Sequence, residues 1–81
     1  MVEKAVTGGS PTALRKRSVT LDGHRTSIAL ESAFWTELEA SARRRGLALA
    51  ALIGEVDRAR GPNEGLASSL RLHVLRELKR R

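Results

Sequence analysis

The chain has 81 residues, a formal net charge of +6, a sequence pI near 11.3 and no cysteine. That length holds one domain with a modest core, and the missing cysteine excludes disulfides, thiolate zinc sites and a cysteine nucleophile. The positive charge favours polyanionic partners, whereas no apolar run approaches the roughly 20 residues of a membrane span, so no membrane partner and a cytoplasmic location are expected.

The cations are unevenly spread. Residues 1–30 set Lys4, Arg15, Lys16, Arg17 and Arg25 against Glu3 and Asp22, and residues 64–81 set Arg71, Arg76, Lys79, Arg80 and Arg81 against Glu64 and Glu77. Residues 31–63 balance. A chain this short without staples is expected to complete its core with a second subunit.

From the N-terminus, residues 1–14 include Thr7-Gly-Gly-Ser-Pro11 and show no hydrophobic period, which predicts a flexible arm preceding a domain at 15–81. Arg15-Lys-Arg-Ser-Val-Thr-Leu21 then alternates polar and apolar residues and runs into Asp22-Gly23, the signal of a type I′ hairpin turn. If those two residues form the loop, Leu21 opposes His24 and the period of two sorts the faces. Val19, Leu21, Thr26, Ile28 and Leu30 share one face; Ser18, Thr20, Arg25, Ser27 and Ala29 share the other.

A helix follows without a loop. Across residues 32–45, Phe34, Trp35, Leu38 and Ala42 recur at helical spacing, with Glu31 or Ser32 as N-cap, acids near the start, Arg43-Arg-Arg45 in the last turn and Gly46 as C-terminal cap. The next helix is expected from about Ala48 to Arg60, presenting Leu49, Leu52, Ile53 and Val56, with Gly61-Pro62 to end it. Asn63 is the expected cap of a third helix whose Leu66, Leu70, Val74 and Leu78 recur every four residues. Leu72 and Leu75 fall off that stripe.

Reactive chemistry is sparse. His24 and His73 have no partners at metal-ligand spacing, the glycines form no phosphate-binding loop, and Phe34 with Trp35 are too few to stack successive bases. The two aromatics read as core, the acids of the helices as solvated faces, and no catalytic residue, cofactor or metal is expected. The chain is not expected to be an enzyme.

The order of strand, helix, Gly46-Leu47 turn and helix from Ile28 to Ile53 resembles the ribbon-helix-helix family of the Arc and MetJ repressor class. Arg17-Ser-Val-Thr-Leu21, Gly23-His-Arg-Thr-Ser27, Leu30-Glu31, Phe34-Trp35 and Leu66-Ala-Ser-Ser-Leu-Arg71 look like a bacterial subfamily of small ribbon-helix-helix proteins, over roughly residues 15–78. The fold class expected is α+β and predominantly helical, with an N-terminal hairpin and an added C-terminal helix.

The resemblance implies an intertwined homodimer that places a β-ribbon in the major groove of double-stranded DNA and regulates transcription. On that carry-over Arg25, Ser27 and Ala29 read bases, and Arg15, Lys16, Arg17, Arg43, Arg44, Arg45 and the backbone at Ala48 meet phosphates. Ile28, Leu30, Phe34, Trp35, Leu38, Leu49, Leu52, Ile53 and Val56 form the dimer core. The other reading is a protein-interaction or antitoxin-like adaptor of the same fold, which grips a protein partner through the C-terminal helix without strong DNA binding.

Overall fold

The computed structural model describes residues 10–80; most of the expected flexible arm, Met1–Gly9, lies outside the described residues. Strand β1 (Leu14–Leu21) and strand β2 (His24–Glu31) form an antiparallel hairpin, followed by helices α1 (Ser32–Arg45), α2 (Leu49–Ala59) and α3 (Leu66–Lys79). Asp22 and Gly23 both have positive φ, 50° and 81°, as a type I′ turn requires, and Leu21 pairs with His24. Register therefore runs as the Asp-Gly signal predicts.

Strand β1 begins one residue before Arg15. Leu14 already belongs to β1, and the residues before it are tied to the start of α1: Ser32 N–H donates to the Ala13 carbonyl (2.9 Å), Ala33 N–H to that of Pro11 (3.0 Å) and the Ser32 hydroxyl to that of Ser10 (2.6 Å). These bonds satisfy amide groups that a helix N-terminus leaves open. Glu31 occupies the N-cap position but makes no side-chain cap; its carboxylate instead receives two hydrogen bonds from Arg71, at 2.9 and 3.1 Å. No acid sits in the first turn of α1, contrary to expectation, because Glu37 and Glu39 fall a turn later. The last turn does carry Arg43, Arg44 and Arg45, and Gly46 closes it at φ 68°.

All three helices lie beneath one face of the hairpin. Leu21, Ile28 and Leu30 from the sheet meet Trp35, Leu38 and Ala42 of α1, Leu52 and Ile53 of α2, and Leu70 and Val74 of α3. Leu30, Leu38, Leu52, Ile53 and Leu70 are wholly inaccessible to solvent in a single chain. Of the expected core residues, Phe34, Leu49 and Val56 are only partly buried and pack at its rim.

Helix α3 differs most from its sequence reading. It starts after Gly65, not at Asn63, and of its four-residue repeat Leu70 and Val74 are buried, Leu66 is half-buried and Leu78 is exposed. A strict spacing of four drifts around a helix of 3.6 residues per turn, so Leu78 has rotated out of the contact that Leu70 makes. Helix α3 is nevertheless the element that closes the core from below. Its tether to α1 is polar: Arg44 meets Glu77 at 3.3 Å, and His73 Nε2 stands 3.6 Å from the same carboxylate.

Candidate nucleic-acid interface

The opposite face of the hairpin carries no helix. Alternation along β1 and β2 turns Lys16, Ser18, Thr20, Arg25, Ser27 and Ala29 outward, and the first five of these are exposed or half-exposed while Ala29 is half-buried. Register places them as three cross-strand pairs: Lys16 opposite Ala29, Ser18 opposite Ser27, and Thr20 opposite Arg25. Side chains of directly opposed residues on one face stand side by side, so the six form a single small polar surface with a cation near each end.

Backbone polarity follows the same parity. A two-residue loop makes Leu21 and His24 a hydrogen-bonded pair, and the Ser32-to-Ala13 bond lies on the same alternate register. The intervening pairs are those of the outward residues, whose N–H and C=O groups consequently point to the two edges of the hairpin. The outward surface thus combines hydroxyl, guanidinium and ammonium groups with edge amides able to donate to an anion.

The expected phosphate contacts divide into two groups. Lys16 and Arg43 are exposed, with no ion pair among the described residues, and Arg15 is exposed on β1. Arg17 turns toward the helices, lies 4.9 Å over the Trp35 ring and pairs with Glu39 at 2.8 Å. Arg44 is held by Glu77, and Arg45 by Glu55 at 2.9 Å. Ala48 is the N-cap of α2, in extended conformation and without a side-chain cap, which leaves first-turn amides of that helix open.

These pairings had no local signal in the sequence. Arg17 and Glu39 are brought together by the turn from β2 into α1, and Arg44 and Glu77 by the packing of α3. The outward placement of Ser18 and Thr20, by contrast, was visible in the alternation; what it lacked was a role.

Two carboxylates titrate low. Hydrogen bonds from Arg71 hold the Glu31 carboxyl below the ordinary carboxylate value. At Glu77, burial pushes the carboxyl upward, but the Ser41 hydroxyl and the neighbouring His73, Arg44 and Arg45 outweigh it and the net displacement is downward. Ser41 is fully buried, and its hydroxyl makes no hydrogen bond of good geometry; its proximity to Glu77 is the polar interaction it retains. Among the described residues no group of three or more His, Asp or Glu is placed to hold a metal, and no helix is long and apolar enough to cross a membrane.

The chain matches the ribbon-helix-helix domain family over residues 14–78. It is similar in structure to an uncharacterized protein from Bordetella pertussis Tohama I, at 32% identity and a TM-score of 0.71, covering 85% of this chain and 58% of that one. The present chain therefore spans little more than half the length of that relative. No curated protein matches it in sequence.

Proposed function

Because the chain belongs to the ribbon-helix-helix domain family, we propose that it is a non-enzymatic DNA-binding regulator of transcription that presents the outer face of its hairpin to the major groove. The observation that carries this reading is the open sheet face: Arg25 and Ser27 are exposed, and every helix packs on the other side. A guanidinium at Arg25 can donate two hydrogen bonds to guanine, the Ser27 hydroxyl can donate or accept, and Ala29 offers an apolar contact to a thymine methyl. Lys16, Arg15 and Arg43, with the amides opening α2 after Ala48, are assigned to phosphates. Ribbon-helix-helix proteins typically dimerise and bind DNA, and the net charge of +6 suits that polyanion.

The test compares Arg25→Ala with Lys16→Ala on a selected duplex and on random duplex across a salt series. Loss of a base contact costs about 1–3 kcal/mol on the preferred site and little on random sequence. Loss of a phosphate contact weakens both and lowers the salt slope by roughly one. Equal losses on both duplexes for Arg25→Ala would reduce it to a nonspecific cation. A second reading, the protein-interaction adaptor, is favoured by Leu72 and Leu75, which lie 45% and 49% exposed on α3. Wild-type protein that binds no duplex would select it.

A further inference from the structure

We infer that the outward side of α3, with the cleft beside it, docks an acidic amphipathic helix of a partner protein. The inference rests on the protein-interaction reading above and names the class of partner that reading leaves open; it does not require DNA binding.

Helical geometry gathers the docking strip. Leu70 and Val74 are buried against the core, and at about 100° per residue Leu72, Leu75, Arg76 and Lys79 fall on the opposite side of the helix, all of them exposed. Leu78, also exposed, borders them. Two leucines three residues apart, open to water on one side of a helix, have the spacing of anchors in helix recognition.

A cleft adjoins the strip. Between α2 and α3, Val56, Ala59, Arg60, Leu72 and Arg76 contribute to the walls of a cavity of about 150 Å³, a size that accepts one branched or aromatic side chain. Its acid, Glu64, is turned to the Gly61 N–H, which donates to it at 3.0 Å. An apolar side chain seated there would lie beside Leu72 and bring its neighbours in sequence close to Arg76.

Charge selects the occupant. Arg76, Lys79 and Arg80 make no ion pair among the described residues, whereas Arg71 and Arg44 are held by Glu31 and Glu77. A second copy laid strip to strip would set these cations against their equivalents. The rest of a second copy offers little complement, because Asp22, Glu31, Glu39, Glu55, Asp57 and Glu77 each already meet an arginine, which leaves Glu37 and Glu64 as the described acids without one. Nucleic acid would match the cations and leave the leucines open. Covering both takes a surface that is acidic and apolar at once, which an amphipathic helix with glutamates flanking a leucine stripe provides.

The experiment titrates the full chain with a fluorescent helical peptide of that design. Its controls are the same peptide with glutamine for glutamate, a scrambled peptide of equal charge, and vesicles of anionic phospholipid. Wild type should bind the acidic peptide about tenfold tighter than the glutamine or scrambled one and more weakly as salt rises, with amide shifts in nuclear magnetic resonance centred on α3, Val56 and Ala59. Arg76→Glu/Lys79→Glu should reverse the preference in favour of a lysine version of the peptide, and Leu72→Ser/Leu75→Ser should lose binding to both. Circular dichroism confirms that the variants fold; should either be unstable, the shift map and salt series on wild type decide. Equal binding of the glutamate and glutamine peptides at α3 would overturn the acidic partner and leave the protein-interaction reading standing. Binding of vesicles and of no peptide would give the strip to a lipid surface, and self-association that Leu72→Ser/Leu75→Ser abolishes, without peptide binding, would give it to a second copy; either overturns the inference. A strip that binds none of these probes removes the inference and the α3 docking reading together.

Discussion

Trp35 joins three functions at one side chain. Its ring is buried in the core, its indole N–H donates to the Arg15 carbonyl at 2.9 Å, and its face supports the Arg17 guanidinium that Glu39 holds in place. Trp35→Ala should therefore destabilise the fold by about 3–5 kcal/mol, whereas Trp35→Phe, which keeps most of the bulk and forfeits the hydrogen bond, should cost nearer ~1 kcal/mol through that bond. Urea unfolding followed by circular dichroism checks both. Unaltered stability in Trp35→Ala would remove the indole from the core role assigned to it. Glu77 makes a second residue-scale expectation, with its sign fixed by linkage. Its carboxyl is displaced below the ordinary value of 4.5, so the charged form favours the folded chain; that contribution is present above 4.5 and is lost as pH falls through the folded-state value. Stability measured from about pH 6 downward, to about pH 3, should decline less steeply in Glu77→Gln than in wild type. Parallel curves would show that the α1–α3 tether does not depend on this charge.

At the scale of elements, the hairpin turn controls which residues face outward. Gly23 at φ 81° sits where a side chain is strained regardless of space, and a Cβ there would meet no atom, so the cost of Gly23→Ala is conformational alone, about 1–2 kcal/mol. The variant should melt lower and, if it folds through a longer loop, bind DNA more weakly, because a one-residue change of register exchanges the two faces of a strand. A melting midpoint equal to wild type would contradict the strain. The same turn explains why so much of the hairpin was legible in the sequence: Asp-Gly fixes the register, and alternation then assigns Ile28 and Leu30 inward and Arg25 and Ser27 outward without knowledge of the helices. Phosphate contacts were less legible. Arg17 is on the inward parity of β1, so its approach to Trp35 could be read from alternation, but the pairing of Arg44 with Glu77 and of Arg45 with Glu55 depends on helix packing that no local pattern encodes. Helix α3 was half legible, since Leu70 and Val74 followed the apolar spacing while the choice of Gly65 over Asn63 as its start came from the path of the loop.

For the whole molecule, the question is what a second copy contributes. The sequence argument for a homodimer was one of size, a short chain without disulfides being expected to complete its core with a partner subunit, and the family resemblance implied an intertwined dimer as well. Within one chain β1 already pairs with β2, and α3 already covers the underside of α1 and α2, leaving five core side chains with no exposure. Domains somewhat smaller than this one do fold alone. The large apolar side chains that remain open, Leu14, Leu72, Leu75 and Leu78, are on the outside of that core and would be surfaces for association, not gaps in it. The single chain is accordingly expected to fold without a partner, with a melting midpoint that holds steady over a wide dilution series even where sedimentation shows self-association at the concentrated end. A midpoint that falls progressively with dilution would mean that dimer formation supplies part of the folding free energy, as the obligate homodimer requires. The variant Leu72→Glu/Leu75→Glu sharpens the distinction: it should abolish any association that runs through α3 and leave the melting midpoint of the dilute protein nearly unchanged, because neither leucine belongs to the buried stripe of Leu70 and Val74. Unfolding of that variant at every concentration would place those leucines in the stabilising interior of an assembly and overturn the self-sufficient chain.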